Sequence, residues 1–274
     1  MTSPARKHLD IRAALCLTLL FGTTARAQDA PLIILVQPTQ REEATRRAFQ
    51  PLADYLAAAT GDKFNVASAP NFLAHWETVR RNSGYDLVLD DAHFTDYRVQ
   101  KFRFQVLARA AGTTSYSLAV TNGTRLRDPL ELAGKKVASF GPPSIGATRL
   151  NAIFPNPSRR PAIIEVASSI DGLELLAQGK VAAAMLPTAE LAEAVDLNRV
   201  NVIITAEPTP NMALSASPRL APKLREKIRA ALLRLDRTNP GRELLRDTRI
   251  ERFEPASAAD YAGQARILRD TWGY

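Results

Sequence analysis

The residues with the greatest chemical potential are grouped by type rather than set in a known catalytic spacing. Asp90, Asp91 and His93 form the densest titratable cluster, with His75 upstream as a further imidazole. Such a set can accept hydrogen bonds from a hydroxyl or amine, cap a helix, or offer ligands to a metal; two histidines and two carboxylates without tight spacing are a weak zinc pattern, and no metal site is expected. Ser144, followed by Ile145 and Gly146, stands where a helix begins, so its hydroxyl and the free N–H groups behind it suit either an N-cap or an oxyanion contact. Thr39, Thr114, Ser115, Tyr116, Ser139 and Thr188 offer further hydroxyls, and Tyr97 either closes over a ligand or packs. Catalysis has little to build on. There is no Gly-x-Ser-x-Gly elbow, no His-Glu-x-x-His and no glycine-rich phosphate loop ahead of a lysine. The expected ligand is a small solute, and no cofactor is called for.

The elements that must position these residues alternate along the chain. Leu32-Ile33-Ile34-Leu35-Val36 reads as a buried strand with Gln37-Pro38-Thr39 as its turn. A helix over roughly 41–59 follows, with Pro51 as a kink or join. A strand at 64–67, a helix over 71–82 and a strand at 85–89 continue the pattern. Two extended runs, 104–109 and 115–120, read as a crossing into a second lobe, which repeats the alternation. Its pieces are a strand at 136–140, a helix from Ser144, a strand at 162–166, a helix at 169–179, a strand at 181–185, a helix at 188–196 and a strand at 200–204. Glu207-Pro208-Thr209-Pro210 is the return crossing, followed by a helix at about 219–236 and a last helix near 257–271. The expected class is therefore α/β: two lobes, each a mostly parallel sheet flanked by helices and joined by two crossing strands. Lobe 1 is discontinuous, 28–112 with 210–274, and lobe 2 is the insert 113–209. Ligands of open α/β sheets bind beyond the carboxyl ends of the strands, which is the rule that selects the hydroxyls and carboxylates above.

The first 27 residues read as a secretory leader. Arg6, Lys7 and Arg12 precede an apolar run at 13–21, and Ala25-Arg26-Ala27 offers small residues for cleavage after Ala27, hence a periplasmic location. The apolar run is too short to span about 30 Å of hydrocarbon. Cleavage removes the single cysteine, Cys16, and lowers the formal net charge from +8 to +5. Basic residues are dispersed among acidic ones, which argues against a nucleic-acid partner.

The order of several pieces resembles a known family. They are Leu32–Tyr55 with Pro51-Leu52-Ala53-Asp54-Tyr55-Leu56, Tyr85–Asp90 with Tyr97, Leu132-Ala133-Gly134-Lys135-Lys136-Val137-Ala138, Leu176–Ala184 and Pro218–Leu232. In that order and spacing the chain is similar to the phosphate, phosphite and phosphonate solute-binding proteins of ATP-driven importers, with the type 2 periplasmic binding fold. The resemblance implies a monomeric, non-catalytic protein that closes two lobes on an oxyanion and docks on a membrane permease. The same fold could alternatively report to a membrane histidine kinase. It also implies a hydroxyl-rich Ser-Thr-Ser-Gly loop opening the second lobe's first long helix. Here that loop is Pro142-Pro143-Ser144-Ile145-Gly146-Ala147-Thr148, with one hydroxyl in place at Ser144 and Thr148 as a substitute.

Overall fold

Leu32–Val36 (β1) opens the first sheet and is already buried at its carboxyl end. The computed structural model describes residues 30–269, 271, 273 and 274; the expected leader lies outside them. Glu42–Thr60 (α1) packs on β1 through Thr45, Phe49, Leu52, Ala53, Leu56 and Thr60, a stripe at helical spacing. Leu52 and Leu56 are fully enclosed, each contributing roughly 1.5–3 kcal/mol of burial. Pro51 falls on the opposite, exposed face, and the helix continues through it as one element.

Phe64–Ser68 (β2), Phe72–Arg81 (α2), Leu87–Asp90 (β3), Ala92–Phe102 (α3) and Gln105–Ala110 (β4) follow in order. The short crossing strands are Thr113–Thr114 (β5) and Thr209–Pro210 (β11), which pair antiparallel with each other. Between them lie Tyr116–Thr121 (β6), Lys136–Ser139 (β7), Ile145–Ile153 (α4), Ala162–Glu165 (β8), Ser169–Ala177 (α5), Ala183–Pro187 (β9), Thr188–Asp196 (α6) and Val200–Thr205 (β10). Ala213–Ala216 (β12), Pro222–Leu232 (α7), Asn239–Asp247 (α8) and Phe253–Glu254 (β13) return the chain to the first sheet.

The first sheet has the order β13-β4-β12-β3-β1-β2 and the second β10-β6-β9-β7-β8. β1, β2 and β3 are parallel, whereas β12 runs antiparallel to both β3 and β4. In the second sheet β7, β8 and β9 are parallel and β6 is reversed. The reversed strands β6 and β12 each follow directly on a crossing, so they enter their sheets from the opposite end to strands delivered by a helix.

Several boundaries move. β9 begins at Ala183 rather than 181, because its ladder to β7 starts at the Val137–Ala183 pair. The helix expected over 219–236 stops at Leu232, and α8, unforeseen, follows it. The last helix is instead two 3-10 turns, Ala258–Tyr261 and Gln264–Leu268. No helix among the described residues is long and apolar enough to cross a membrane.

Candidate functional site

A cleft of about 820 Å³ opens between the two sheets at the carboxyl ends of their parallel strands. Its walls come from the loop after β1 (Gln37, Thr39), the residue after β3 (Asp91), the loop after β7 (Phe140), the start of α5 (Ser168, Ser169) and the start of α6 (Thr188). The crossing adds Thr113, Thr114, Ser115 and Tyr116. This is the placement expected of a ligand site in open α/β sheets.

Hydroxyls dominate the second-sheet wall, and they are linked. Thr188 Oγ1 lies 2.8 Å from both Ser115 Oγ and Ser117 Oγ, and Ser117 Oγ lies 2.8 Å from Thr205 Oγ1. Four hydroxyl protons serve three links, so with the chain oriented towards its Ser115 end one O–H is left to donate to an anion without unmaking it. The cations are at the rim and already matched across the cleft. Arg41, largely exposed, meets Asp171 of α5 at 3.2 Å, and Arg249 meets Glu190 of α6.

The carboxylates after β3 divide sharply in role. Asp90 is fully enclosed and bidentate to Arg98, with Nη1 donating to Oδ2 at 2.5 Å and Nη2 to Oδ1 at 2.7 Å. His75 Nε2 donates to Oδ2 at 3.0 Å, Thr95 Oγ1 donates to Oδ1, and Arg98 Nη2 also donates to Ser215 Oγ at 2.9 Å. Burial would raise the Asp90 carboxyl, but the Arg98 charge and the His75 and Arg98 hydrogen bonds outweigh it and hold it near 2. Asp90 is therefore an ionised strut beneath the site.

Asp91 is different. It occupies the N-cap position of α3, yet its side chain caps nothing. Its backbone N–H donates to Gln37 Oε1 at 2.8 Å, while Oδ2 is buried on the cleft wall with no hydrogen-bond partner. Burial pushes its carboxyl up, Gln37 pulls it down, Asp90 pushes it up again, and it settles at about 7.

Other expected residues lie off the cleft wall. His93 is buried, with Nε2 3.0 Å from Pro143 O, so it ties α3 to the loop after β7. Burial holds its ring down at about 3; it is neutral with the proton on Nε2, because a carbonyl oxygen can only accept. Tyr97 packs edge-on against Trp76 in the first core at 4.8 Å between centroids. Ser139 Oγ donates to Met185 O at 2.9 Å, bracing β7 to β9. Ser144 is the N-cap of α4, accepting from Ala147 N–H at 3.2 Å and donating to Phe140 O at 2.9 Å. Ile145 is core, and Gly146 backs onto Tyr116 so closely that a Cβ there would lie 2.9 Å from the ring. The structure therefore brings Thr39, Asp91, Thr114, Ser115, Tyr116 and Thr188 together and places Asp90, His93, Tyr97, Ser139, Ser144, Ile145 and Gly146 behind them. Ser168 and Ser169 join the wall beyond the residues expected there; they follow the strand read at 162–166, so the carboxyl-end rule selects them too.

Residues 34–261 match the family described as periplasmic substrate-binding proteins of phosphonate ABC transporters. Among solved structures, the chain is similar to PhnD1 of Prochlorococcus marinus in complex with methylphosphonate (TM-score 0.72, 15% identity, covering 87% of this chain and 97% of that one). A binding-protein component of a phosphonate ABC transporter from Pseudomonas aeruginosa superposes with TM-score 0.69 at 14% identity, over 88% of this chain and 85% of that one. A Xanthomonas citri protein bound to ATP gives 0.68 at 12%, over 87% and 98%. At these identities the structures speak to the fold alone. No curated protein matches the sequence. The two-sheet fold, the crossing pair and the match over most of its length agree: this chain belongs to the periplasmic substrate-binding proteins of phosphonate ABC transporters.

Proposed function

We propose that the protein is exported, with its leader cleaved after Ala27, and that it acts as a monomer. In this reading lobe 1 comprises 28–112 and 210–274, lobe 2 comprises 113–209, and they close on a small oxyanion of the phosphonate class for delivery to a membrane permease. The observation that carries the oxyanion is the composition of the cleft wall: hydroxyls at Ser115 and Thr188, linked to Ser117 and Thr205 behind them, with Ser168 and Ser169 at the start of α5, and arginines only at the rim in ion pairs. Neutral dipoles directed at an anion hold it with little reorganisation, and helix starts add free N–H groups. Closure follows if the ligand contacts both walls, because only the closed form then satisfies both sets of groups.

Methylphosphonate, the ligand of the Prochlorococcus protein, is the first ligand to try. In a thermal-shift panel of methylphosphonate, phosphite, phosphate, sulfate and small amines, a true ligand at about 100 times its Kd adds about 2.7 kcal/mol of stability. A shift with amines and none with any oxyanion would sink the assignment.

A further inference from the structure

The interior of the cleft contains one acid with an oxygen that has nothing to bond to. Asp91 is 3% exposed, Oδ2 has no partner, and the residue stands at an N-cap position without capping. A buried carboxylate oxygen left open is costly, and only a donor satisfies it. Asp91 therefore faces an expected oxyanion, acceptor against acceptor, unless a proton lies between them.

The surroundings leave Asp91 alone to handle that proton. Asp90, beside it on the chain, is neutralised by the bidentate Arg98. Tyr116 on β6 and Tyr261 in the C-terminal turn are both kept protonated by burial. His93 on α3 is neutral, and Arg41 and Glu190 at the rim are engaged in ion pairs of their own.

We infer that Asp91 is a specificity-determining residue through which the cleft binds its oxyanion together with one proton, held between Oδ2 and a ligand oxygen. The ligand arrives as the monoprotonated anion on an ionised Asp91, or as the fully ionised anion on a protonated Asp91; the proton count of the complex is the same. The inference rests on the oxyanion reading above.

The test is calorimetric titration of the purified protein with methylphosphonate from pH 6 to 9, in paired buffers of different ionisation enthalpy. Proton uptake should climb towards one per ligand at pH 8–9, with affinity falling about tenfold per pH unit there. In D91N the amide donates to the fully ionised anion without a proton, so uptake and slope should both be lost above pH 8. Binding by the native protein without proton uptake at pH 8–9, or wild-type uptake retained by D91N, overturns this inference while leaving the oxyanion reading standing. Failure of methylphosphonate, phosphite and phosphate to bind at any pH overturns both.

Discussion

Asp91→Asn should stabilise the ligand-free protein, increasingly so as pH rises from 3.8 to about 7. The native carboxyl is raised from an ordinary 3.8 to about 7 by burial, because its charge gains no compensating donor at Oδ2. An acid raised in the folded state costs no stability below its unfolded pKa and its full penalty above its folded one. The penalty therefore grows between pH 3.8 and 7. At about 1.36 kcal/mol per pH unit, that interval is worth at most about 4 kcal/mol, less to the extent that cleft water reaches the oxygen. Asparagine keeps the shape and removes the charge. Urea unfolding of both proteins from pH 5 to 8.5 isolates the effect, since other titrating groups cancel in the difference. D91N should gain at most about 1.6 kcal/mol at pH 5 and roughly 2–4 kcal/mol at pH 8.5 on that linkage. Equal effects at the two pH values would refute the claim that burial raises the Asp91 carboxyl.

Three further changes probe the supports of the site. Arg98→Met strands Asp90 as an uncompensated buried charge and should cost about 3–5 kcal/mol in chemical denaturation, part of it recovered on adding Asp90→Asn. Thr188→Ala removes the hydroxyl shared by Ser115 and Ser117 and should weaken methylphosphonate binding about tenfold in calorimetry with little loss of fold. Gly146→Ala forces a methyl against Ser139 Oγ and the Tyr116 ring, each 2.9 Å from the new Cβ, so thermal unfolding should show a loss of about 1–3 kcal/mol.

The alternation of strands and helices was legible because β1 and most of β9 are continuous apolar runs and α1 and α7 carry clear stripes. The 188–196 helix and the Ser144 cap appear where periodicity and capping place them. What was not legible depended on partners distant in sequence. The two-residue β13 is a strand only because Phe253 and Glu254 pair with Ala110 and Arg109. α8 begins at Asn239-Pro240-Gly241, a turn signal to any local reading, although Pro suits a first helical turn and Thr238 caps it. The expected C-terminal helix breaks at Gly263, whose φ of 82° no right-handed helix contains. The Asp90–Asp91 pair looked like one acidic unit facing a ligand. A carboxylate at the end of the apolar run Leu87-Val88-Leu89 needs a cation, and Arg98, eight residues on, is that cation.

The second-lobe loop that was expected to grip the ligand is occupied by the fold itself. Phe140 packs at 47° against Phe72 of α2, with ring centroids 5.5 Å apart, and Pro143 O accepts from His93 of α3, so both residues join this loop to the first sheet's helices. Ser144 is spent on Phe140 O and on its own helix. Glu165 closes the other side, its carboxylate so near Gly141 that a Cβ there would overlap it at 2.5 Å. A loop fixed on both flanks makes a poor gripping element and a good fulcrum. If the lobes rock about it, the moving wall is the one carrying α5 and α6, whose rim residues Asp171 and Glu190 meet Arg41 and Arg249 across the cleft. Those pairs are exposed and each is worth about 0–1 kcal/mol, too little to hold the lobes shut unaided. On the oxyanion reading, the balance between open and closed is therefore set inside the cleft, by what the ligand offers Asp91 on one wall and the Ser115–Thr188 hydroxyls on the other.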